Sequence, residues 1–115
     1  MRLSEMIRLG SMLTEQCIGT MHTMFAGHEF TCAMGAAKVG CETSNVSLDK
    51  FDYLLSEYVE NPITHELGSV IKTIIDLNDK QDWTREKIAD WLETIETKLE
   101  EKSLIGVEQK ESINV

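Results

Sequence analysis

The chain has almost no proline. A single Pro62 stands in 115 residues, so no Pro-rich spacer divides it, and a length of this order is that of one domain with a core of its own. It has only three cysteines, Cys17, Cys32 and Cys41, an odd set without the CxxC spacing of zinc or redox sites; such a set reads as free, partly buried thiols in a reducing compartment. It lacks any run of about 18 apolar residues, which a membrane span requires, and its start lacks the charged-then-apolar layout of a signal peptide. No membrane partner is expected, and the expected location is the cytoplasm of a bacterial cell, or of a host if the chain is phage-encoded. It also lacks positive charge. Eleven Lys and Arg stand against twenty Asp and Glu, for a formal net charge of -9.

The charge is uneven. Residues 1–41 hold three cations and three anions, whereas eight cations face seventeen anions from Glu42 onward, so the whole excess lies there. An acidic field repels phosphate and steers cationic partners inward. Direct nucleic-acid binding is therefore not expected, and a protein partner with a basic surface is. No Gly-rich phosphate loop, Ser nucleophile elbow, H-E-x-x-H or kinase motif occurs, so no motif marks an enzyme class and a non-enzymatic role is the simpler expectation.

What is present is helical periodicity. Leu3, Met6, Ile7, Gly10 and Leu13 recur at three- and four-residue spacing and predict a helix over 4–15. The segment 17–30, with Gly19 and Gly27 among Thr, Met and His, suits a short helix or a loop equally. Thr31 to Gly40 reads as a helix capped by Thr31 and closed by Gly40, so thin that a neighbour would approach closely around Gly35. Ser47 caps a predicted helix over 48–59 that stops at Asn61-Pro62. Leu67, Val70, Ile71, Ile74 and Ile75 predict another from Thr64, with a strand as the lesser alternative for 70–75. Trp83, Thr84 as N-cap and Ile88 have the spacing of a hydrophobic staple opening a last helix. Off its apolar stripe, Asp90, Glu93, Glu96 and Glu100 are expected to form a solvated acidic face. The expectation is an all-α fold, a small irregular bundle of about five amphipathic helices over 1–102, followed by a polar, flexible tail over 103–115.

The blocks Thr31-Cys32-Ala33-Met34-Gly35-Ala36-Ala37, Leu77-Asn78-Asp79 and Trp83-Thr84-Arg85-Glu86-Lys87-Ile88-Ala89-Asp90-Trp91 resemble those of a group of short uncharacterised bacterial and phage proteins. That group shares a T-C-A-x-G-A-A block and, roughly fifty residues on, an L-N-D…W-T-R-E-x-I-A-D-W block. The resemblance covers about a quarter of the chain and implies a bacterial or phage origin and an intracellular setting, with no activity attached.

Three readings of function follow. The first is an acidic, non-enzymatic binding protein, phage-encoded and acting on a host protein as a defence inhibitor would; it acts by occupying a basic surface or as a homo-oligomer. The second is a small-ligand module with a pocket formed by Cys32, Gly35, Asn78, Asp79 and Trp83, in which the polar pair hydrogen-bonds a ligand and Trp83 stacks on it. The third is a thiol enzyme: a cysteine in the first turn of a helix feels amide dipoles that favour thiolate, and His28 lies four residues before Cys32 as base. The bland alternatives are a small cysteine chosen for a thin helix, and an Asn-Asp pair serving turn geometry. Cys17, His22, His28, Cys32 and Cys41 follow one another at intervals of five, six, four and nine residues, which match no zinc pattern; no metal and no cofactor is expected.

Overall fold

A computed structural model of the chain describes residues 2–102, and follows the backbone of the last helix further, to Asn114. The tail expected over 103–115 lies outside the described residues. Helix α1 (Leu3–Leu13) buries Leu3, Met6, Ile7 and Gly10 and runs antiparallel to α2 (Ala33–Thr43). The two backbones all but touch. A Cβ on Gly10 would fall 1.8 Å from the Ala36 carbonyl oxygen, and one on Gly40 would fall 2.1 Å from that of Met6. The thin helix is thus matched by a second glycine on its neighbour. Gly40 does not close α2, which continues to Thr43, and Gly35 faces the Met21 carbonyl of the preceding loop rather than α1.

The chain does not form an all-α bundle. Two small sheets interrupt it, and the fold is mixed α/β. In the first, β1 (Glu15–Gln16), β2 (His22–Phe25) and β3 (His28–Thr31) lie in the order β1-β3-β2, with β1 parallel and β2 antiparallel to β3. Segment 17–30 is therefore mostly hairpin. Ala26 and Gly27 both take positive φ, 51° and 80°, in a two-residue turn whose twist suits the strands on either side, and Thr23, Phe25 and Phe30 are strand formers. Thr31 ends β3, which leaves Cys32 as the N-cap of α2.

The second sheet replaces the end of one predicted helix and the start of the next. Ser47 does cap a turn, Leu48–Phe51, which leads into the short α3 (Asp52–Leu55). The chain then extends as β4 (Tyr58–Glu60), antiparallel to β5 (Leu67–Ser69). Pro62 drives the residue before it out of the helical region, and Asn61 uses its Oδ1 to accept the Ile63 and Thr64 N–H groups, turning the chain back. Helix α4 (Val70–Asp79) starts only after Ser69, whose hydroxyl accepts the Lys72 N–H.

Helix α5 (Arg85–Asn114) starts where the staple predicts, with the Thr84 hydroxyl accepting the Lys87 N–H. It lies antiparallel to α1, and the expected acidic face is solvent-exposed at Asp90, Glu93 and Glu100 but not at Glu96. Arg8 pairs with Asp90 and Glu93, Arg2 pairs with Glu100, and Glu96 is buried with its Oε2 accepting the Ser4 N–H. Ile88, Ala89 and Leu92 complete a core that also draws on α1, α2, α3 and α4. Among the described residues no helix is long and apolar enough to cross a membrane.

Candidate binding groove

Helix α4 has more apolar surface than its core-facing side uses. Val70, Ile74 and Leu77 are fully buried, while Ile71 and Ile75, one turn apart, remain 38% and 41% exposed. They form one wall of a groove of about 380 Å³. Met34 of α2 and Leu48 and Leu55 of the Ser47-capped segment supply further apolar surface, and the loop of Gly19, Thr20 and Met21 closes one side. Capping by Ser47, whose hydroxyl accepts the Asp49 N–H, sets Asp49 and Asp52 three residues apart on that segment, and both line the groove. Asp79 lines it from the end of α4.

The electrostatics are one-sided. No Lys, Arg or His lines the groove, and among the described residues none of Asp49, Asp52 and Asp79 forms an ion pair. Asp79 stands at the C-terminal end of a helix, where the dipole disfavours an anion. Its Oδ1 is held there by the Gly19 N–H at 3.1 Å and the Asn78 side-chain amide at 2.8 Å.

Of the residues expected to form a site, Cys32 and Asp79 line this groove, and the others do not. Asn78 is fully buried and uses its whole hydrogen-bonding capacity inside the chain. Its Nδ2 donates to the Cys17 carbonyl and Asp79, and its Oδ1 accepts from Gln16 Nε2 and the Ala33 N–H. The Asn78 amide bridges the Cys17 carbonyl and the Ala33 N–H, the two groups that would form the next rung of the parallel β1–β3 pairing. Asn78 is thus a positioning residue, which fixes Asp79, the start of α2 and the end of β1 together. Gly35 spends its N–H on the Cys32 Sγ, and its missing Cβ leaves room for the Met21 carbonyl. Trp83 does not line the groove; its carbonyl is bound by Gln16 Nε2 and its ring lies 4.3 Å from the Lys87 ammonium.

The thiol–imidazole pair is not assembled. His28 pairs in register with Phe25 at the hairpin end, is exposed, and faces Glu15. Burial pushes the Cys17 thiol up, with Cys32 and Asp79 adding to the rise and Arg85 opposing it. Among the described residues no three His, Cys, Asp or Glu side chains converge as a metal would require.

Sequence reasoning missed two polar sites. Arg85 is buried without a carboxylate partner: Nη1 donates to the Thr14 and Thr31 hydroxyls, and Nη2 to the Ser11 and Thr14 carbonyls. It therefore caps the C-terminal end of α1, where the helix dipole favours a cation. Its one sequence signal is a cation in the first turn of its own helix, where the dipole disfavours it. Glu96 sits at the other end of α1, so α5 places an anion at that helix's N-terminus and a cation at its C-terminus. Burial raises the Glu96 carboxyl above its ordinary 4.5, against the lowering effect of hydrogen bonds from Ser4 and Leu3.

Comparison with protein-family models, curated proteins and solved structures finds no match to the chain. What the groove does has to follow from its own chemistry, a mixed α/β scaffold presenting an apolar cleft edged by unpaired carboxylates.

Proposed function

We propose that this chain is a non-enzymatic binding protein whose groove takes an apolar side chain with a cationic neighbour, presented by a basic amphipathic segment of a partner protein. One observation carries the reading: Asp49, Asp52 and Asp79 edge an apolar floor whose lining includes no cation. The acids of α5 support it by contrast. Asp90, Glu93 and Glu100 are already engaged by α1, so they offer a partner less than the groove does. Segments of this chemistry occur in nucleic-acid-binding proteins, whose basic surface the chain would occupy in place of phosphate. Cys32 has no base at hand, and thiol catalysis is not part of the proposal.

The test is calorimetric titration of the whole chain with a Leu/Lys amphipathic helical peptide and, separately, with a medium-chain alkylammonium ion. The peptide is expected to bind, to weaken as salt is added, and to lose about tenfold in affinity, ~1.4 kcal/mol, in the double variant D49N/D52N. The variant D90N/E93Q should bind like the parent. Peptide affinity indifferent to both ionic strength and D49N/D52N would overturn the reading. A groove of about 380 Å³ also falls within the size of small-molecule sites, roughly 300–1,000 Å³. Tight binding of the ammonium ion with none of the peptide would favour that second reading.

A further inference from the structure

The two cysteines nearest the groove are neighbours through the sheet. Strands β1 and β3 pair in parallel, Glu15 opposite Phe30 and Gln16 opposite Thr31, and the Cys17 N–H donates to the Thr31 carbonyl at 3.0 Å. The pairing ends there, and its continuation by one residue would set Cys17 opposite Cys32, where the Asn78 amide stands in for the direct bond between the Cys17 carbonyl and the Ala33 N–H. Residues opposite each other in a ladder point to the same face, and adjacent strands lie about 5 Å apart. A disulfide accepts a Cα separation of roughly 4.4–6.8 Å. Cys41, two turns further along α2 and buried, is at the Met6 and Gly40 side of the helix, away from this rung.

From this placement we infer that Cys17 and Cys32 form a reversible thiol–disulfide pair, closed by a glutathione-type disulfide and reopened by the corresponding thiol. The backbone at this rung is held on every side, by the Cys32 N–H to the Met21 carbonyl and by the Asn78 amide between Cys17 and Ala33. The thiols are held far less. Cys17 Sγ donates to the Thr20 carbonyl and Cys32 Sγ accepts the Gly35 N–H, both contacts of weak sulfur partners that a χ1 rotation exchanges for a bond.

The chemistry balances with that disulfide as the oxidant. Cys17, the more exposed of the two, attacks one sulfur of the external disulfide as thiolate; a Cys17 mixed disulfide forms and one thiolate leaves to take up a proton. The Cys32 thiolate then attacks Cys17 Sγ, which forms the internal bond and expels the second external thiolate. Two electrons and two thiol protons pass from the protein to the external disulfide, giving two external thiols. Since burial holds the Cys17 thiol up, a smaller share of it is thiolate at neutral pH, and exchange is slower than at an unperturbed thiol. Closure ties the loop of Gly19, Thr20 and Met21 to the first turn of α2, both of which line the groove. The inference stands apart from the proposed ligand, because it reads the bond and not the binding.

The test is equilibration of the whole chain in buffers of varied oxidised and reduced glutathione, followed by acid quench, alkylation and peptide mapping. The expected product is a monomer lighter by two hydrogens, carrying a Cys17–Cys32 cross-linked peptide and an unbridged Cys41. Cys41→Ser keeps the bridge; Cys17→Ser and Cys32→Ser each lose it. Because serine is itself a good N-cap, Cys32→Ser is expected to fold, and the unsubstituted chain's peptide map decides the matter alone if it does not. A glutathione adduct on Cys17 without an internal bond, a bridge to Cys41, or a bridge between two chains overturns the inference.

Discussion

Replacing Arg85 with methionine tests whether a buried cation holds α1 to the rest of the fold. The guanidinium is in a residue only 5% exposed and donates to four neutral acceptors, at 2.8 and 3.0 Å to the Thr14 and Thr31 hydroxyls and at 3.2 and 2.8 Å to the Ser11 and Thr14 carbonyls. Methionine keeps the apolar stem and removes the charge. The two hydroxyls still have each other, 2.8 Å apart, and Thr14 also donates to the Gly10 carbonyl. The carbonyls at the end of α1 lose the cation, at roughly 1–3 kcal/mol for each buried acceptor left unsatisfied. The dipole term for a cation at a helix C-terminus, up to ~2 kcal/mol when partly buried, is lost as well. Against these stands relief of the desolvation that makes burial the leading cause of the lowered Arg85 pKa, a penalty of several kcal/mol in general. The net expectation is a loss of about 2–4 kcal/mol, read as a fall in the urea midpoint of roughly 1–3 M with the slope unchanged. Arg85→Lys retains the charge but cannot span four acceptors with one ammonium, and should lie between the parent and methionine. A methionine variant within about 0.5 kcal/mol of the parent, or a lysine variant worse than methionine, would show that the cation is a burden rather than a clamp.

The crossing of α1 and α2 gives a second test. Gly10→Ala puts a methyl group onto the Ala36 carbonyl backbone, which cannot step aside, and should cost about 3 kcal/mol or more, whereas Gly68→Ala meets only Lys72 Cδ at 3.5 Å and should fall within about 1 kcal/mol of the parent; equal urea midpoints for the two would sink the close-approach reading. Glu96→Gln tests the buried carboxyl by pH. A carboxyl raised above 4.5 in the folded state binds its proton more tightly there than in the unfolded chain, so its contribution is full at low pH and is lost as pH rises through the raised value. The Gln variant, which does not titrate, should therefore gain on the parent as pH rises above about 4.5, and a parent that gains on the variant over that rise would refute the sign. Asn78→Ala orphans the Cys17 carbonyl and the Ala33 N–H at a cost of about 2–4 kcal/mol, and amide exchange at Ala33 should quicken; an unchanged Ala33 rate would mean that the amide is not a rung.

Helix α5 was legible because Thr84, Trp83 and Ile88 are local signals and its apolar stripe follows one period. The pairing of its acidic residues with α1, and the burial of Glu96, were not. Periodicity separates these acids from the stripe, but that Arg2 and Arg8 fold over them is a relation between segments 82–98 residues apart. The first hairpin was hidden by its turn: Ala26 takes a positive φ of 51° where Asn, Asp or Gly would have announced it. The second sheet was hidden by Val70, Ile71, Ile74 and Ile75, whose helical spacing drew the predicted helix back across Leu67–Ser69, which is strand. For the site, Cys32 and Asp79 were singled out, while Asp49, Asp52, Ile71 and Ile75 were not. Ile71 and Ile75 widened an apolar stripe beyond what one core contact needs, and that surplus was their only trace. Asn78 shows the converse limit, since a polar residue next to a lining residue looks alike from sequence whether it meets a ligand or a backbone.

The grip of α5 on both ends of α1 sets an order of events in biosynthesis. Arg8 waits for Asp90 and Glu93, Arg2 for Glu100, and the Ser11 and Thr14 carbonyls for Arg85. At ribosomal speeds of about 5–20 residues per second, the first helix is out for roughly 5–20 s before its partner exists. In that interval its apolar stripe has only α2 to cover it, through a crossing that glycines make close but small. The newborn chain therefore depends on that early helix pair to shield α1 until the last helix arrives and locks both of its ends.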